Sequence, residues 1–343
     1  MSSMTDAGHQ PGPGETAEPR SIAAVEAPGS RSVAAIEAAA ARMRYDIVEM
    51  IAEAGSGHPG GSLSAADIVA TLYFGVMRHD PARPDWPSRD RFVLSKGHAA
   101  PVLYAVLAEA GYLGRDHLKT LRRLESVLQG HPDSSKTPGV EVSTGSLGQG
   151  LAIANGMALA LGLDGNTTSR VFCLLGDGEL QEGEVWEAAM FAPHHGLDRV
   201  TAIVDNNGLQ IDGACSEVMC LGGIADKFRA FGWEVREVDG HSVSELLEAL
   251  SAGPATSGIP AAVVAHTVKG RGVSFMEGSA DWHGKAPNAE QTATALAELG
   301  AALEAATAPG GPVEALGRPT DEAAIASGSA APPAPPLQGR GGA

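Results

Sequence analysis

Two short, almost wholly apolar runs constrain the fold more than any other feature of this sequence. Residues 171–175 read Val-Phe-Cys-Leu-Leu, and residues 200–204 read Val-Thr-Ala-Ile-Val. Such runs are typical of strands buried on both faces, which occurs when helices cover both sides of a parallel sheet. Residues 183–194, between the two runs, are predicted to form a helix. The sequence therefore predicts an α/β fold in which helices flank a parallel sheet.

Further strands and helices extend this alternation along the chain. Apolar residues recur at helical spacing from Val33 to Ile51, and glycine-rich segments separate the later elements. We expect further strands at residues 91–95, 233–238 and 261–266. We expect further helices at residues 33–54, 65–75 (capped by Ser64), 99–109 and 151–161.

The two ends of the chain differ in composition from its centre. Residues 1–32 are rich in Pro, Gly, Ser, Ala and Glu without a period, and residues from 307 onward are rich in Ala, Pro and Gly. Neither segment carries enough large apolar residues to build a core. We therefore expect a disordered arm over 1–32, one folded domain over 33–306 and a disordered tail over 307–343.

Charge and cysteine content argue against several classes of protein. The chain has 41 acidic and 24 basic residues and a net charge of −17, which disfavours a nucleic-acid partner. No apolar stretch is long enough to span a bilayer, and the amino terminus lacks the pattern of a secretory signal. The cysteines Cys173, Cys215 and Cys220 fit a reducing compartment, and their spacing does not predict a zinc site. We expect a cytoplasmic protein with no membrane partner.

Polar residues follow both apolar runs at the point where each predicted strand ends. Asp177 and Asn207 are short oxygen donors of the kind that a hard divalent cation prefers. Gly176 and Gly178 flank Asp177 and would let the backbone approach a phosphate closely. A carboxylate repels a phosphate unless a metal ion bridges the two. These residues therefore indicate a metal-bound diphosphate at the carboxyl ends of the strands.

The spacing of these residues resembles a known fingerprint. Asn207 follows Asp177 by 30 residues, with a helix and a second apolar strand between them. This arrangement resembles the thiamine diphosphate-binding signature shared by transketolases, pyruvate dehydrogenase and their relatives. The resemblance implies that the cofactor is thiamine diphosphate. It also implies a metal site of Asp177, Asn207 and the carbonyl of Leu209 for Mg²⁺ or another divalent cation.

Further segments resemble transketolases in particular and occur in that family's order. The resemblance covers about residues 40–300 and rests on four histidine-containing segments and one glycine-rich loop. These are Gly55-Ser56-Gly57-His58-Pro59-Gly60, Ser95-Lys96-Gly97-His98-Ala99, Gly130-His131-Pro132-Asp133, Trp282-His283-Gly284-Lys285 and the loop over residues 138–150.

The resemblance implies roles for the residues in these segments. In the family, the histidines line the cofactor and substrate channel, where they hydrogen-bond the diphosphate or sugar hydroxyls and handle protons. The implied active-site histidines are His58, His98, His131 and His283. The implied cofactor-binding residues are His98, His283, Gly145, Ser146, Leu147, Gly176, Asp177, Gly178 and Asn207. The histidines expected only on the surface or in the core are His79, His117, His194, His195 and His241.

Three positions leave questions open. Glu182 either stabilises a helix amino terminus through the helix dipole or, as the resemblance implies, contacts the catalytic glutamate of a second subunit. Ser146 stands where many transketolases have proline, and Lys96 where many have asparagine. We expect both departures to lie outside the direct chemistry.

The resemblance also implies that this chain supplies only half of the active site. In transketolases a second domain binds the pyrimidine ring and supplies the glutamate that activates the cofactor, and no segment here resembles it. We therefore expect the amino-terminal subunit of a two-component transketolase, which forms a heterotetramer with a partner that carries the pyrimidine-binding domain. It would move a two-carbon ketol unit between sugar phosphates, as in the pentose phosphate pathway.

Three other interpretations remain open from the sequence. The two-carbon unit could pass to a carrier-bound or other acceptor in specialised metabolism. The chain could bind the cofactor without catalysis, or it could be the α-subunit of a 2-oxo acid dehydrogenase. The intact metal and histidine residues disfavour the second interpretation, and the histidine segments disfavour the third.

Overall fold

A five-stranded parallel sheet forms the centre of the computed structural model, which describes residues 31–253 and 256–308. The order of its strands is β1-β2-β3-β7-β6, and each neighbouring pair is parallel. A separate antiparallel pair, β4 with β5, follows β3. The strands are β1 Arg91–Leu94, β2 Val171–Gly176, β3 Val200–Asn206, β4 Leu209–Gln210, β5 Gly213–Ala214, β6 Glu234–Asp239 and β7 Ala261–His266.

Helices of the described residues surround this sheet. The α-helices are α1 Val33–Ala54, α2 Pro59–Ser64, α3 Ala66–Thr71, α4 Ala100–Ala110, α5 Gln149–Leu163, α6 Gly183–His194, α7 Cys215–Val218, α8 Ile224–Ala230, α9 Val243–Ser251 and α10 Ala289–Thr307. Short 3-10 turns cover Gly97–Ala99, Arg115–Thr120, Gly178–Gln181 and Ala280–Trp282, and a π-helical turn covers Leu72–Val76.

Strand β2 shows why the apolar runs were informative. Its side chains alternate between two cores, with Phe172 and Leu174 in one and Val171, Cys173 and Leu175 in the other. Both faces of the strand are therefore buried, as a continuous apolar run requires. The first core contains residues of α1, α4 and α9, and the second contains residues of α5 and α6. The predicted α/β fold with a parallel sheet flanked by helices is confirmed.

The predicted helix over 65–75 is confirmed as α3 and the π-helical turn that continues it to Val76, but its predicted cap was wrong. Ser64 is the last residue of α2 and does not cap α3, whose cap residue Ala65 makes no side-chain hydrogen bond. The Ser64 hydroxyl instead donates to Asp205 Oδ2 at 2.6 Å. Because Asp205 is fully buried, its carboxylate requires donors from the protein, and Ser64 is one of them.

The predicted arm and tail fall largely outside the described residues. Residues 1–30 and 309–343 are not described, and Ser32 caps α1 at the start of the folded part. Within the described ranges, no helix combines the length and hydrophobicity needed to cross a membrane.

Candidate active site

The carboxyl ends of the parallel strands meet at a cavity of about 260 Å³, called here the carboxyl-edge cavity. Ligands of open α/β sheets bind at this edge, where the strands end in loops. Its walls include the predicted residues His98, Leu147, Gly176, Asp177, Gly178, Asn207, Leu209 and His283. Other wall residues are Gly61, Lys96, Glu179, Gln181, Gln210, Ile211, Asp212, Val218 and Lys269. The predicted residues that do not line it are His58, His131, Gly145, Ser146 and Glu182.

Asp177 and Asn207 lie directly after β2 and β3, as the sequence predicted. The buried Asp177 carboxylate accepts hydrogen bonds from the N–H groups of Gly178, at 2.8 Å, and Gly208. Asn207 Oδ1 accepts a hydrogen bond from the N–H of Leu209 at 3.2 Å. The carboxylate, the amide oxygen and the Leu209 carbonyl therefore belong to residues that share one cavity wall.

The chemistry of these oxygens fits a hard divalent cation. Burial, and then the nearby Asp205 carboxylate, raises the pKa of Asp177. No lysine or arginine within residues 31–253 and 256–308 forms an ion pair with Asp177. In the same ranges no three His, Cys, Asp or Glu side chains converge as a metal cluster. An ion here would therefore depend on one carboxylate and on amide, carbonyl and ligand oxygens, which is a donor set that suits Mg²⁺.

The cavity wall also fits an oxygen-rich anion. Gln210, on β4, has a buried side-chain nitrogen for which the described part of the chain offers no acceptor. A buried donor without an acceptor costs about 1–3 kcal/mol, which a ligand oxygen can offset. Gly178 lets Gln210 pack closely against this turn, since a Cβ on Gly178 would lie 3.1 Å from the Gln210 side chain.

Glu179 holds three loops of the site together, and we did not predict it. Its carboxylate accepts hydrogen bonds from the N–H of Gly148 and of Gly176, each at 2.9 Å, and from the Ser95 hydroxyl. Burial raises the pKa of Glu179 despite these donors. The loops after β1 and β2 and the loop before α5 are therefore fixed relative to one another by one buried side chain.

Lys96, which we expected to lie outside the direct chemistry, has its side chain buried in the cavity wall. Its ammonium forms an ion pair with the buried Asp205 and donates to the Gly61 carbonyl at 2.9 Å. Asp205 also accepts hydrogen bonds from Ser64 and Thr267. Lys96 thus links the loop after β1 to the end of β3.

Three of the four predicted histidines form a cluster. The ring centroids of His58, His98 and His283 lie 5.3, 5.5 and 5.0 Å apart. Burial, followed by neighbouring cations and histidines, lowers the pKa of His58 to about 4 and that of His283 to about 3. The pKa of His98 is also lowered, first by burial and then by Lys96. The cluster is therefore uncharged at neutral pH.

His131 lies beside this cluster on a separate loop. Its exposed ring packs against Gly145, where a Cβ would lie 3.4 Å from the ring. Burial and then Arg122 lower the pKa of His131. Arg122 donates to Ser56 Oγ at 2.7 Å, lies 3.4 Å from His58 Nδ1 and has a φ of 60°. Arg122, which we did not predict, therefore connects His131 to the cluster.

Glu182 and Ser146 are on the surface. Glu182 precedes α6 as its cap residue, but its side chain makes no capping hydrogen bond. Its Cβ approaches Gly148, where a Cβ would lie 2.6 Å away. Both open interpretations of Glu182 are compatible with an exposed carboxylate at a helix amino terminus.

Lys269 is a further site residue that we missed. It follows β7, lies in the cavity wall and is 2% exposed. Its ammonium donates to the Leu209 carbonyl at 3.0 Å and lies 2.9 Å from His283 Nδ1. The signal was present in the sequence, because 261–266 is a third apolar strand and Lys269 follows its carboxyl end.

Fold and site together define an α/β protein with a polar cavity at the carboxyl ends of a parallel sheet, and comparison with known proteins identifies its family. Residues 35–309 match the family described as transketolase, thiamine diphosphate binding domain. The chain belongs to the transketolase family.

Individual relatives agree with this assignment. The chain is 45% identical over 257 residues to the 6-deoxy-6-sulfo-D-fructose transketolase subunit SqwG of Clostridium sp. (strain MSTE9), covering 75% of this chain and 93% of that protein. It is 41% identical to one of the subunits of the apulose-4-phosphate transketolase of Phocaeicola vulgatus, covering 76% of this chain and 92% of that protein. The crystal structure of Campylobacter jejuni transketolase superposes with a TM-score of 0.73 at 35% identity, covering 79% of this chain and 43% of that one.

Proposed function

We propose that this chain is the amino-terminal subunit of a two-component transketolase. It transfers a two-carbon ketol unit from a ketose phosphate to an aldose phosphate with thiamine diphosphate. The observation that carries the proposal is the grouping of Asp177, Asn207 and Leu209 with His98 and His283 around one cavity. The family assignment supplies the cofactor, and the histidine cluster supplies polar groups suited to a sugar.

The cofactor and its metal ion would be held at the carboxyl ends of β2 and β3. Asp177, Asn207 and the Leu209 carbonyl would bind Mg²⁺ or another divalent cation, and the loops at Gly145–Leu147 and Gly176–Gly178 would receive the diphosphate. Thiamine diphosphate, when bound, supplies an electron sink for the carbon–carbon bond that breaks. This chain's part is to bind, orient and neutralise the diphosphate end.

The histidines would handle the sugar. A neutral imidazole can donate one hydrogen bond and accept another, so His58, His98 and His283 can bind hydroxyl and carbonyl oxygens without adding charge. His131, on the adjacent loop, would extend this surface. Because burial disfavours their protonated forms, His58, His98 and His283 are neutral at pH 7 and can accept hydrogen bonds from sugar hydroxyls.

A second subunit would complete the site. The proposed partner carries the pyrimidine-binding domain and its glutamate, and the complex would be a cytoplasmic heterotetramer. Glu182 is exposed beside Gly148 and the cavity loop, where it could contact that glutamate. The relatives from Clostridium and Phocaeicola are themselves named as subunits.

The test of this proposal uses the chain with and without its partner. We expect the purified chain, supplied with thiamine diphosphate, Mg²⁺ and a ketose phosphate with an aldose phosphate, to be inactive. Adding a partner subunit that carries the pyrimidine-binding domain should restore two-carbon transfer. Robust turnover by the chain alone would refute the split-enzyme proposal, since the activating carboxylate would then lie in this chain.

A second candidate differs only in the sugar. The two relatives named above carry the names of a sulfonated ketose and of apulose 4-phosphate. The assembled complex should therefore be assayed with pentose-phosphate, sulfonated and branched sugars and with a carrier-bound acceptor. Preference for one of the last three by kcat/KM would replace the pentose phosphate assignment while leaving the reaction type unchanged.

A further inference from the structure

The contact with Lys269 determines which ring nitrogen of His283 accepts a hydrogen bond and which can donate one. Lys269 Nζ lies 2.9 Å from His283 Nδ1 and 3.0 Å from the Leu209 carbonyl oxygen. A lysine ammonium has three donors and no acceptor, so Nδ1 must be the acceptor in this bond. A neutral imidazole that accepts at Nδ1 carries its proton on Nε2.

We propose that Lys269 is a positioning residue that fixes His283 in the Nε2–H tautomer. The inference rests on the proposed function for its role in the reaction. A histidine with Nε2–H donates to a sugar oxygen from that atom, whereas the other tautomer would accept there. Lys269 therefore sets which partner His283 can offer the substrate.

The backbone around Lys269 is held from both sides, so its ammonium has a defined position. The N–H of Gly270 donates to the Gly60 carbonyl at 3.0 Å, and the N–H of Val268 donates to His241 Nε2 at 2.8 Å. His241 is fixed in turn by Asp67, at 2.7 Å from its Nδ1. His241, which we expected to be structural, thus supports the turn that carries Lys269.

The side chain of Lys269 is equally confined. It is 2% exposed, and a Cβ on Gly60 would lie 3.0 Å from Lys269 Cγ. The third proton of the ammonium takes part in neither of these two hydrogen bonds. Lys269 itself lies in the wall of the carboxyl-edge cavity. Lys269 can therefore hold His283 while facing the region proposed for the diphosphate.

The charges around His283 keep its imidazole neutral. A neutral imidazole has two tautomers, so a hydrogen bond can determine which of them forms. The groups that face it are Lys269, Lys96, His58 and His98. Burial, then Lys269, His58 and Lys96, lowers the pKa of His283 to about 3. At pH 7 both imidazole tautomers are uncharged, and only a directed hydrogen bond distinguishes them.

The test is a nitrogen NMR spectrum of the full chain labelled with ¹⁵N-histidine at pH 7. The His283 signals are assigned by their loss in His283→Gln. In the wild-type chain we expect the Nε2–H tautomer for His283. In Lys269→Met we expect the tautomer ratio to fall about tenfold, which corresponds to ~1.4 kcal/mol, because the hydrogen bond from a charged donor has been removed.

Lys285→Met is the matched control. It removes the same charge two residues from His283, but its Nζ lies 5.3 Å from the centre of the Trp282 ring. We expect it to leave the His283 tautomer unchanged. An unchanged ratio in Lys269→Met, or a wild-type proton on Nδ1, would overturn the proposal. The wild-type spectrum decides even if Lys269→Met does not fold, and because it requires no turnover, its outcome is separate from that of the two-subunit assay.

Discussion

Buried carboxylates lie at both the amino ends and the carboxyl ends of the strands in the central sheet, but their charge is balanced in different ways. At the amino edge, Asp90 precedes β1 with a fully buried side chain. It accepts hydrogen bonds from the Arg78 guanidinium at 2.9 Å and from the backbone N–H groups of Arg78 and Arg170 at 2.9 and 2.8 Å. The Arg170 guanidinium lies 3.5 Å away. The charge of Asp90 is therefore compensated by its own chain.

At the carboxyl edge, Asp177 and Lys269 influence each other electrostatically but do not form an ion pair. Asp177 has backbone donors but no lysine or arginine in ion-pair contact within the described ranges, and Lys269 likewise has no carboxylate partner there. Burying uncompensated charge is costly, and proteins keep such groups mainly where a ligand completes them. A buried carboxylate with ion-pair partners, such as Asp90, therefore stabilises this fold. A buried carboxylate without an ion pair, such as Asp177, lies at the proposed binding site.

The strongest test of the comparison is Asp177→Ala. We expect it to weaken binding of thiamine diphosphate with Mg²⁺ about 1000-fold, or ~4 kcal/mol, because the only carboxylate proposed for the metal is lost. The free energy of unfolding of the chain should fall by less than in Asp90→Ala, because only the backbone N–H groups of Gly178 and Gly208 lose their acceptor. Calorimetry on the assembled complex measures the first quantity and urea unfolding the second. Unchanged affinity would remove Asp177 from the metal site.

Asp90→Ala should show the opposite behaviour. It leaves two guanidinium groups and two backbone donors without their shared acceptor, so we expect a loss of about 3 kcal/mol in the free energy of unfolding. Cofactor affinity of the folded complex should be unchanged. The control is Asp80→Ala, which removes the partly exposed partner of the exposed Arg83 and should cost less than about 1 kcal/mol. Equal losses from both substitutions would contradict the comparison.

Protonation of the buried Asp67 should have a smaller effect on the free energy of unfolding, which appears at acidic pH. Burial alone would raise the pKa of Asp67, but Arg44 and His241 outweigh it and hold that pKa at about 2. Because the folded-state pKa lies below the ordinary value of 3.8, the stabilisation is present above pH 4 and is lost as pH falls towards 2. The loss should be roughly 2 kcal/mol.

Urea unfolding between pH 5 and 2 measures this loss. In Asp67→Asn the decline of stability over that range should be shallower than in the wild-type chain by the same amount. If stability falls equally with pH in the wild-type chain and in Asp67→Asn, Arg44 and His241 do not stabilise the charged Asp67 carboxylate as expected.

The local sequence was sufficient for the sheet and for the residues at its ends. An apolar run defines a doubly buried strand, and parallel strands bring their carboxyl ends to one edge, so Asp177 and Asn207 could be placed before any contact was known. The boundaries of α1 and α6 also followed from periodicity and from glycine-rich breaks. Helices α8, α9 and α10 were not predicted, although Ser242 caps α9 and Asn288 with Gln291 forms a capping box at the start of α10.

What the sequence by itself determined was the class of fold, the family resemblance and the polar residues at each strand end. The tertiary structure alone decided which distant side chains complete the site. Lys96 reaches Asp205 across 109 positions, Ser64 reaches it across 141, and Lys269 joins Leu209 to His283. Periodicity and turn chemistry report only on neighbours a few residues apart. Contacts between distant segments depend on how helices pack against the sheet, so the partners of these side chains could be recognised only in the folded structure.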